Sequence, residues 1–248
     1  MSYFRYIDNG EGPTKLFIGG VHGDEGKDVL PLIKLLSNDD FSSGQIYIYN
    51  FDKTPYVSTI HREFYESEQG KKILDLIDYY NPDFYTELHS YNIKHFDRLT
   101  SLERLDKDGI PPLIDCSQYV LCSSVSPLIR RKHFTKENIC QTLEFPSFRG
   151  EDLKLSDDEL FEKYDYDYDA SVQEYMSFLR LITLSKNRDD FEKRVLKDYK
   201  KTSGSCIKVC KNNLWLGFPT LLKIAFFKFN LFQIQSLIDS TFIKIANK

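Results

Sequence analysis

The fold is decided by the stretch Thr14-Lys15-Leu16-Phe17-Ile18-Gly19-Gly20-Val21-His22-Gly23-Asp24-Glu25-Gly26. Thr14 to Ile18 is a short β-rich run that stops at two glycines. From Glu25 to Leu36 the apolar residues Val29, Leu32, Ile33 and Leu36 recur at helical spacing. A strand, a tight turn and a helix in that order form the opening half of a βαβ unit, which predicts a mostly parallel sheet covered by helices. His22 then lies in the turn between the two elements.

Reading outward, Gln45 to Phe51 is a second strand, and Glu68 to Tyr80 is a helix with Ile73, Leu76 and Ile77 on one face. Pro82 cannot continue that helix. Asp83 to Leu88 reads as a third strand, with His89 at its carboxyl end. Tyr119 to Cys122 and Ile139 to Glu144 read as two more, the second closed by Pro146. The expected fold class is therefore α/β, a mostly parallel or mixed sheet flanked by helices, and 248 residues suffice for one such domain with a full core.

Composition divides the chain into a core over residues 1–150, an acidic helical extension over 151–204, and a basic, apolar tail over 205–248. The run from Asp157 to Asp169 is acidic and tyrosine-rich and reads as a solvated face; helices are expected from Ala170 to Leu184 and from Asp189 to Lys201. In the tail, Lys223, Lys228 and Pro219 interrupt the apolar stretch Leu214 to Phe232, which argues against a membrane span. The tail reads either as a packed terminal element or as an interfacial segment that meets a membrane surface or a protein partner.

With 33 basic against 37 acidic side chains, a formal charge of -4, the chain offers no nucleic-acid surface. Its first residues run into a charged turn without an apolar leader, so a cytoplasmic location is expected. The five cysteines, Cys116, Cys122, Cys140, Cys206 and Cys210, are scattered and odd in number, which favours reduced thiols. Cys206 and Cys210 make only a weak case for a second metal site.

Ligands in open α/β sheets bind at the carboxyl ends of the strands, and His22, Glu25, His89 and Glu144 all fall there. His22 and Glu25 stand three apart at a helix start, where one turn brings them to the same side. Imidazole nitrogen and carboxylate oxygen suit Zn²⁺, which at catalytic sites takes three protein ligands and keeps one position open; His89 is the third. Glu87 shares the strand face of His89 and can accept from its ring as an outer-shell partner. Glu144 is a carboxylate ending an otherwise buried-looking strand, placed to take a proton from an attacking water and return it to a leaving amine. Asp24 reads as an outer-shell or helix-start residue. His61, His95 and His133 read as surface or loop residues, with His95 the nearest to His89 in sequence.

The strings GGVHGDEG, ELHSY and TLEFP, in that order, resemble the zinc carboxypeptidase superfamily, and most closely its succinylglutamate desuccinylase and aspartoacylase branch. Over roughly residues 10–150 the chain also resembles a family of uncharacterised archaeal proteins with the same motif order. The superfamily resemblance implies a three-layer sandwich, one zinc ion on His22, Glu25 and His89, and Glu144 as the general base. It further implies hydrolysis of an amide bond in a small molecule or short peptide that bears a carboxylate, by a deacylase or a carboxypeptidase. The family's substrate-binding Asn-Arg pair does not follow the second strand here. Arg62 is the candidate for an oxyanion or carboxylate clamp, with Arg98, Arg130 and Arg131 as alternatives. A second reading is a metal-binding scaffold with little or no activity that associates through residues 205–248.

Overall fold

The computed structural model describes residues 3–108, 110–148 and 150–199. In chain order the elements are strand β1 (Tyr3–Asp8), strand β2 (Thr14–Gly19), helix α1 (Glu25–Lys34), strand β3 (Gln45–Asn50), and helices α2 (Arg62–Glu66) and α3 (Glu68–Tyr80). Strand β4 (Phe84–Asn92) precedes the short helices α4 (Phe96–Thr100) and α5 (Glu103–Asp108). Strands β5 (Ile114–Ser117) and β6 (Val120–Ser124), helix α6 (Pro127–His133) and strand β7 (Ile139–Ser147) follow. Helices α7 (Asp157–Tyr164), α8 (Tyr168–Leu184) and α9 (Arg188–Asp198) complete the described chain.

The strands form one mixed sheet in the order β1-β3-β2-β4-β7-β6-β5. The four central strands are parallel to one another, and antiparallel strands close both edges. One face is covered by α1, α8 and α9, whose Val29, Ile33, Tyr175, Leu179, Ile182 and Phe191 pack with Phe17, Leu88 and Leu143 of the sheet. Against the other face α3 and α6 pack Ile73, Ile77 and Ile129 beside Leu16, Ile18 and Tyr85. Helix α8, within the stretch expected as an acidic extension, thus belongs to the main core.

The order of connections reverses between β2 and β4: from β2 the chain moves to β3 on one side, then crosses back to place β4 on the other. Such a switch point opens a crevice at the carboxyl ends of the strands. Strand β4 is longer than its sequence suggests. Its ladder with β2 ends at Gly19↔Leu88, whereas its ladder with β7 runs on to Asn92↔Ser147. His89 is therefore the first residue of β4 beyond the end of β2. Strand β7 likewise continues through Pro146 rather than stopping before it. The ladder with β6 ends at Glu144, so Pro146 has β4 as its one neighbouring strand, an edge-like position where a missing N–H is tolerated.

Two strands were absent from the sequence reading. Strand β1 is an edge strand that alternates exposed and half-buried side chains, and β5 is four residues long with an irregular register at Cys116. Three cysteines, Cys116, Cys122 and Cys140, are free thiols, while Cys206, Cys210 and the whole 205–248 tail lie outside the described residues. Among the described residues no helix is long and apolar enough to cross a membrane.

One buried charge ties the layers together. Lys15 of β2 is fully buried, and its ammonium donates to Ser42 Oγ at 2.8 Å, to the carbonyls of Ser185 at 2.6 Å and Ile182 at 3.4 Å, and to that of Thr183. These carbonyls end α8, where orphan acceptors and the negative end of the helix dipole favour a cation. Burial draws the Lys15 ammonium down to about 7, against the opposing pull of the Asp190 charge. Lys15→Met keeps most of the volume but strands the carbonyls, and is expected to cost about 3 kcal/mol at pH 6 in urea unfolding. An unchanged urea midpoint would show that the end of α8 finds other donors.

Candidate metal centre

Three elements converge on the crevice between β2 and β4. The first is the turn from Gly20 to Asp24, which links β2 to α1. Gly20 takes a positive φ of 71° and lies so close to the Phe51 carbonyl that a Cβ would collide with it. The turn then delivers His22 and, at the first residue of α1, Glu25. Its backbone closes on itself, with the Glu25 N–H donating to His22 O at 3.1 Å and the His22 N–H to Glu25 Oε2 at 3.1 Å.

The second element is β4, where Tyr85, Glu87 and His89 occupy alternate positions and so face the same way. The Tyr85 hydroxyl donates to Glu87 Oε1 at 2.8 Å, and Glu87 Oε2 lies 3.2 Å from His89 Nε2. The other ring nitrogen, His89 Nδ1, lies 2.9 Å from Glu25 Oε2. His22 Nδ1 lies 3.4 Å from Glu25 Oε1, and the two imidazoles stack with centroids 4.9 Å apart. Donor atoms of His22, Glu25 and His89 all lie within 4.8 Å of one another. The third element is β7, which sets Glu144 directly opposite His89 in the ladder.

The electrostatics follow from that crowding. Burial by itself would raise the Glu25 carboxyl, but the imidazoles of His89 and His22 outweigh it and hold it at about 2. Burial works against a charged His89 ring, yet Glu25, Glu144 and Glu87 together push it well above the ordinary histidine value. At Glu144 burial dominates and the Glu25 charge adds to it; against the opposing pull of His89, His22 and Arg104 its carboxyl stays raised. Three carboxylates thus surround two imidazoles in a largely buried place, a cluster short of positive charge. Two imidazole nitrogens and a carboxylate on one side of a turn fit a divalent cation such as zinc, and Glu87 fits the outer-shell acceptor that fixes a ligating ring.

The chain matches a family described as "Uncharacterized protein conserved in archaea (DUF2119)" over residues 10–214. It belongs to this family. The match takes in every element from β2 to α9, and hence all four residues of the cluster, but leaves out the edge strand β1. An uncharacterized protein of Methanocaldococcus jannaschii is 37% identical over 159 residues, which cover 62% of this chain and 76% of the relative. No solved structure matches the chain.

None of the remaining candidate residues belongs to the converging donor set. Arg62 is the exposed first residue of α2, and Arg98 is exposed on α4. Arg130 is buried at 5% exposure, and its guanidinium donates to the carbonyls of Thr135 at 2.7 Å and Asn138 at 3.4 Å, which fastens the loop before β7. Arg131 is exposed on α6. The arginine whose charge is felt at Glu144 is Arg104 of α5, which also donates to the Pro111 carbonyl at 3.1 Å. Its one sequence signal was its place in the connection after β4. His61 and His95 are exposed, and His133 pairs with Asp78 at 2.6 Å. Asp24 lies outside the donor set, between Lys27 at 2.8 Å and the Tyr56 hydroxyl at 3.0 Å.

The sequence reading also passed over Thr59, whose backbone N–H points at His22 Nε2 from 3.3 Å. Main-chain donors have no side-chain signature, so no pattern of residue types announces them. The Glu87 contact, by contrast, leads to a direct test. Glu87→Gln keeps the size and the Tyr85 contact but removes the charge behind His89, and is expected to weaken zinc binding about 10–100-fold in a chelator competition. Unaltered affinity would reduce Glu87 to a bystander.

Proposed function

We propose that this protein is a zinc-dependent amidohydrolase of the zinc carboxypeptidase type, acting on a small substrate that carries a free carboxylate. The observation that carries the reading is the meeting of His22, Glu25 and His89 donors within 4.8 Å of one another, with Glu144 opposite His89. His22, Glu25 and His89 would hold one ion, which when bound supplies a Lewis acid for the amide carbonyl.

The chain's own groups do the rest. Glu144, an acceptor while ionised, takes the proton of the attacking water and passes it to the departing nitrogen. Glu87, backed by Tyr85, keeps the His89 ring oriented so that Nδ1 faces Glu25. Arg104, whose charge reaches Glu144, joins Arg62, Arg98 and Arg130 as a cation that could meet a substrate carboxylate. An N-acyl amino acid and a short peptide with a free carboxyl end share the necessary chemistry. The deacylase is preferred because the His-Gly-Asp-Glu string resembles that branch more closely.

The test is metal analysis of the purified protein, followed by a screen of N-acyl amino acids and short peptides. One zinc per chain and hydrolysis of at least one member of either set is the expected result. A protein that takes up no zinc and cleaves neither set would overturn the proposal.

A further inference from the structure

The turn that carries His22 is held only in part by its own two bonds between His22 and Glu25. Gly20 and Gly23 both have positive φ, 71° and 52°, so the segment has little intrinsic preference for its observed path. What else fixes it comes from the connection between β3 and α2. Thr54, 5% exposed, directs its hydroxyl at two carbonyls of the turn, Val21 O at 2.8 Å and Gly20 O at 3.2 Å. Its single proton favours the nearer one. The Thr54 N–H donates to a third, Gly23 O, at 3.0 Å. With His22 O already accepting from Glu25, the other three carbonyls from Gly20 to Gly23 all lie within reach of the two donors of Thr54.

Other parts of the same connection reinforce the grip. The Tyr56 ring lies against Gly23 so closely that a Cβ there would overlap it, and its hydroxyl donates to Asp24. In the metal-free ring, with the proton on Nδ1, the Thr59 N–H also donates to the far nitrogen of His22. None of these residues belongs to the donor set, and all act on the turn from outside it.

We propose that Thr54 is a positioning residue for the metal centre: it clamps the turn from Gly20 to Gly23 and thereby sets the direction in which His22 presents Nδ1. The inference rests on the metal-site reading given above. It assigns Thr54 no contact with substrate. Its effect passes through the backbone of residues 20–23 to one ligand, and from there to affinity for the ion.

Thr54→Val and Thr54→Ser separate this role from simple packing. Valine keeps the shape and the backbone N–H but removes the hydroxyl; serine keeps the hydroxyl. Two quantities are read on the full chain: zinc affinity by chelator competition, and amide hydrogen exchange at Thr59 in the metal-free protein, with a thermal melt to verify folding. The valine variant is expected to bind zinc about tenfold more weakly and to exchange the Thr59 amide faster, while the serine variant matches the wild type in both. Wild-type values for the valine variant, or a serine variant as impaired as the valine one, would overturn the proposal. If the wild type binds no zinc, the metal reading fails, and the exchange of Thr59 alone then decides the clamp: unchanged protection in the valine variant rejects it.

Discussion

Replacing Glu144 with glutamine is expected to lower turnover about 10²–10⁴-fold while zinc stays bound at one ion per chain. The substitution preserves size and hydrogen-bonding reach, and Glu144 is not among the three converging donors, so metal content should not change. Lost activity with retained metal is the signature of a base beside an ion rather than a ligand to it. The pH profile supplies an independent reading. Burial and the Glu25 charge hold the Glu144 carboxyl above its usual 4.5, against the pull of His89. A base works only when deprotonated, so wild-type activity should fall away on acidification as Glu144 takes up a proton. Activity that survives in the glutamine variant, or zinc that leaves with the charge, would remove Glu144 from the role.

The second large effect is at His89. His89→Ala removes one of the three converging donor side chains outright, not merely a group behind it. Zinc affinity should therefore fall by more than the about 10–100-fold expected when an outer-shell partner such as Glu87 is lost. Binding to the folded state alone stabilises it in proportion to occupancy, by about 2.7 kcal/mol at a hundredfold excess over Kd. The wild type should thus melt higher when zinc is added, and the alanine variant should not. Equal zinc-dependent shifts in the two proteins would place the ion elsewhere.

Much of this centre can be read from residue types because its parts are side chains at the ends of regular elements. The glycines before His22, the helical spacing after Glu25 and the β-rich runs before His89 and Glu144 put four reactive groups at one sheet edge. Their meeting follows from the parallel order of β2, β4 and β7. What the sequence conceals is of another kind. Thr54 and Thr59 act through main-chain partners or on main-chain acceptors more than thirty residues away, and hydrogen bonds of that sort leave no periodicity. Lys15 reads as a polar residue in a strand, yet it serves the end of a helix some 170 residues later. Strand β1 alternates like any half-exposed segment, and only its pairing with β3 makes it part of the sheet. The extra length of β4 and β7 is equally invisible, since Pro146 signals an end that the early stop of β6 makes unnecessary.

That extra length has a consequence for how such a protein can change. Because β4 and β7 run past their neighbours, His89 and Glu144 stand on a terrace of two strands, and the connections that follow begin only after Asn92 and Ser147. Insertions beyond those points would change the connections and leave the terrace intact. A single residue added between Tyr85 and His89 would turn His89 to the opposite side of the sheet and away from Glu25. The fold thus separates a part of the chain that evolution can vary from a five-residue stretch whose length is fixed.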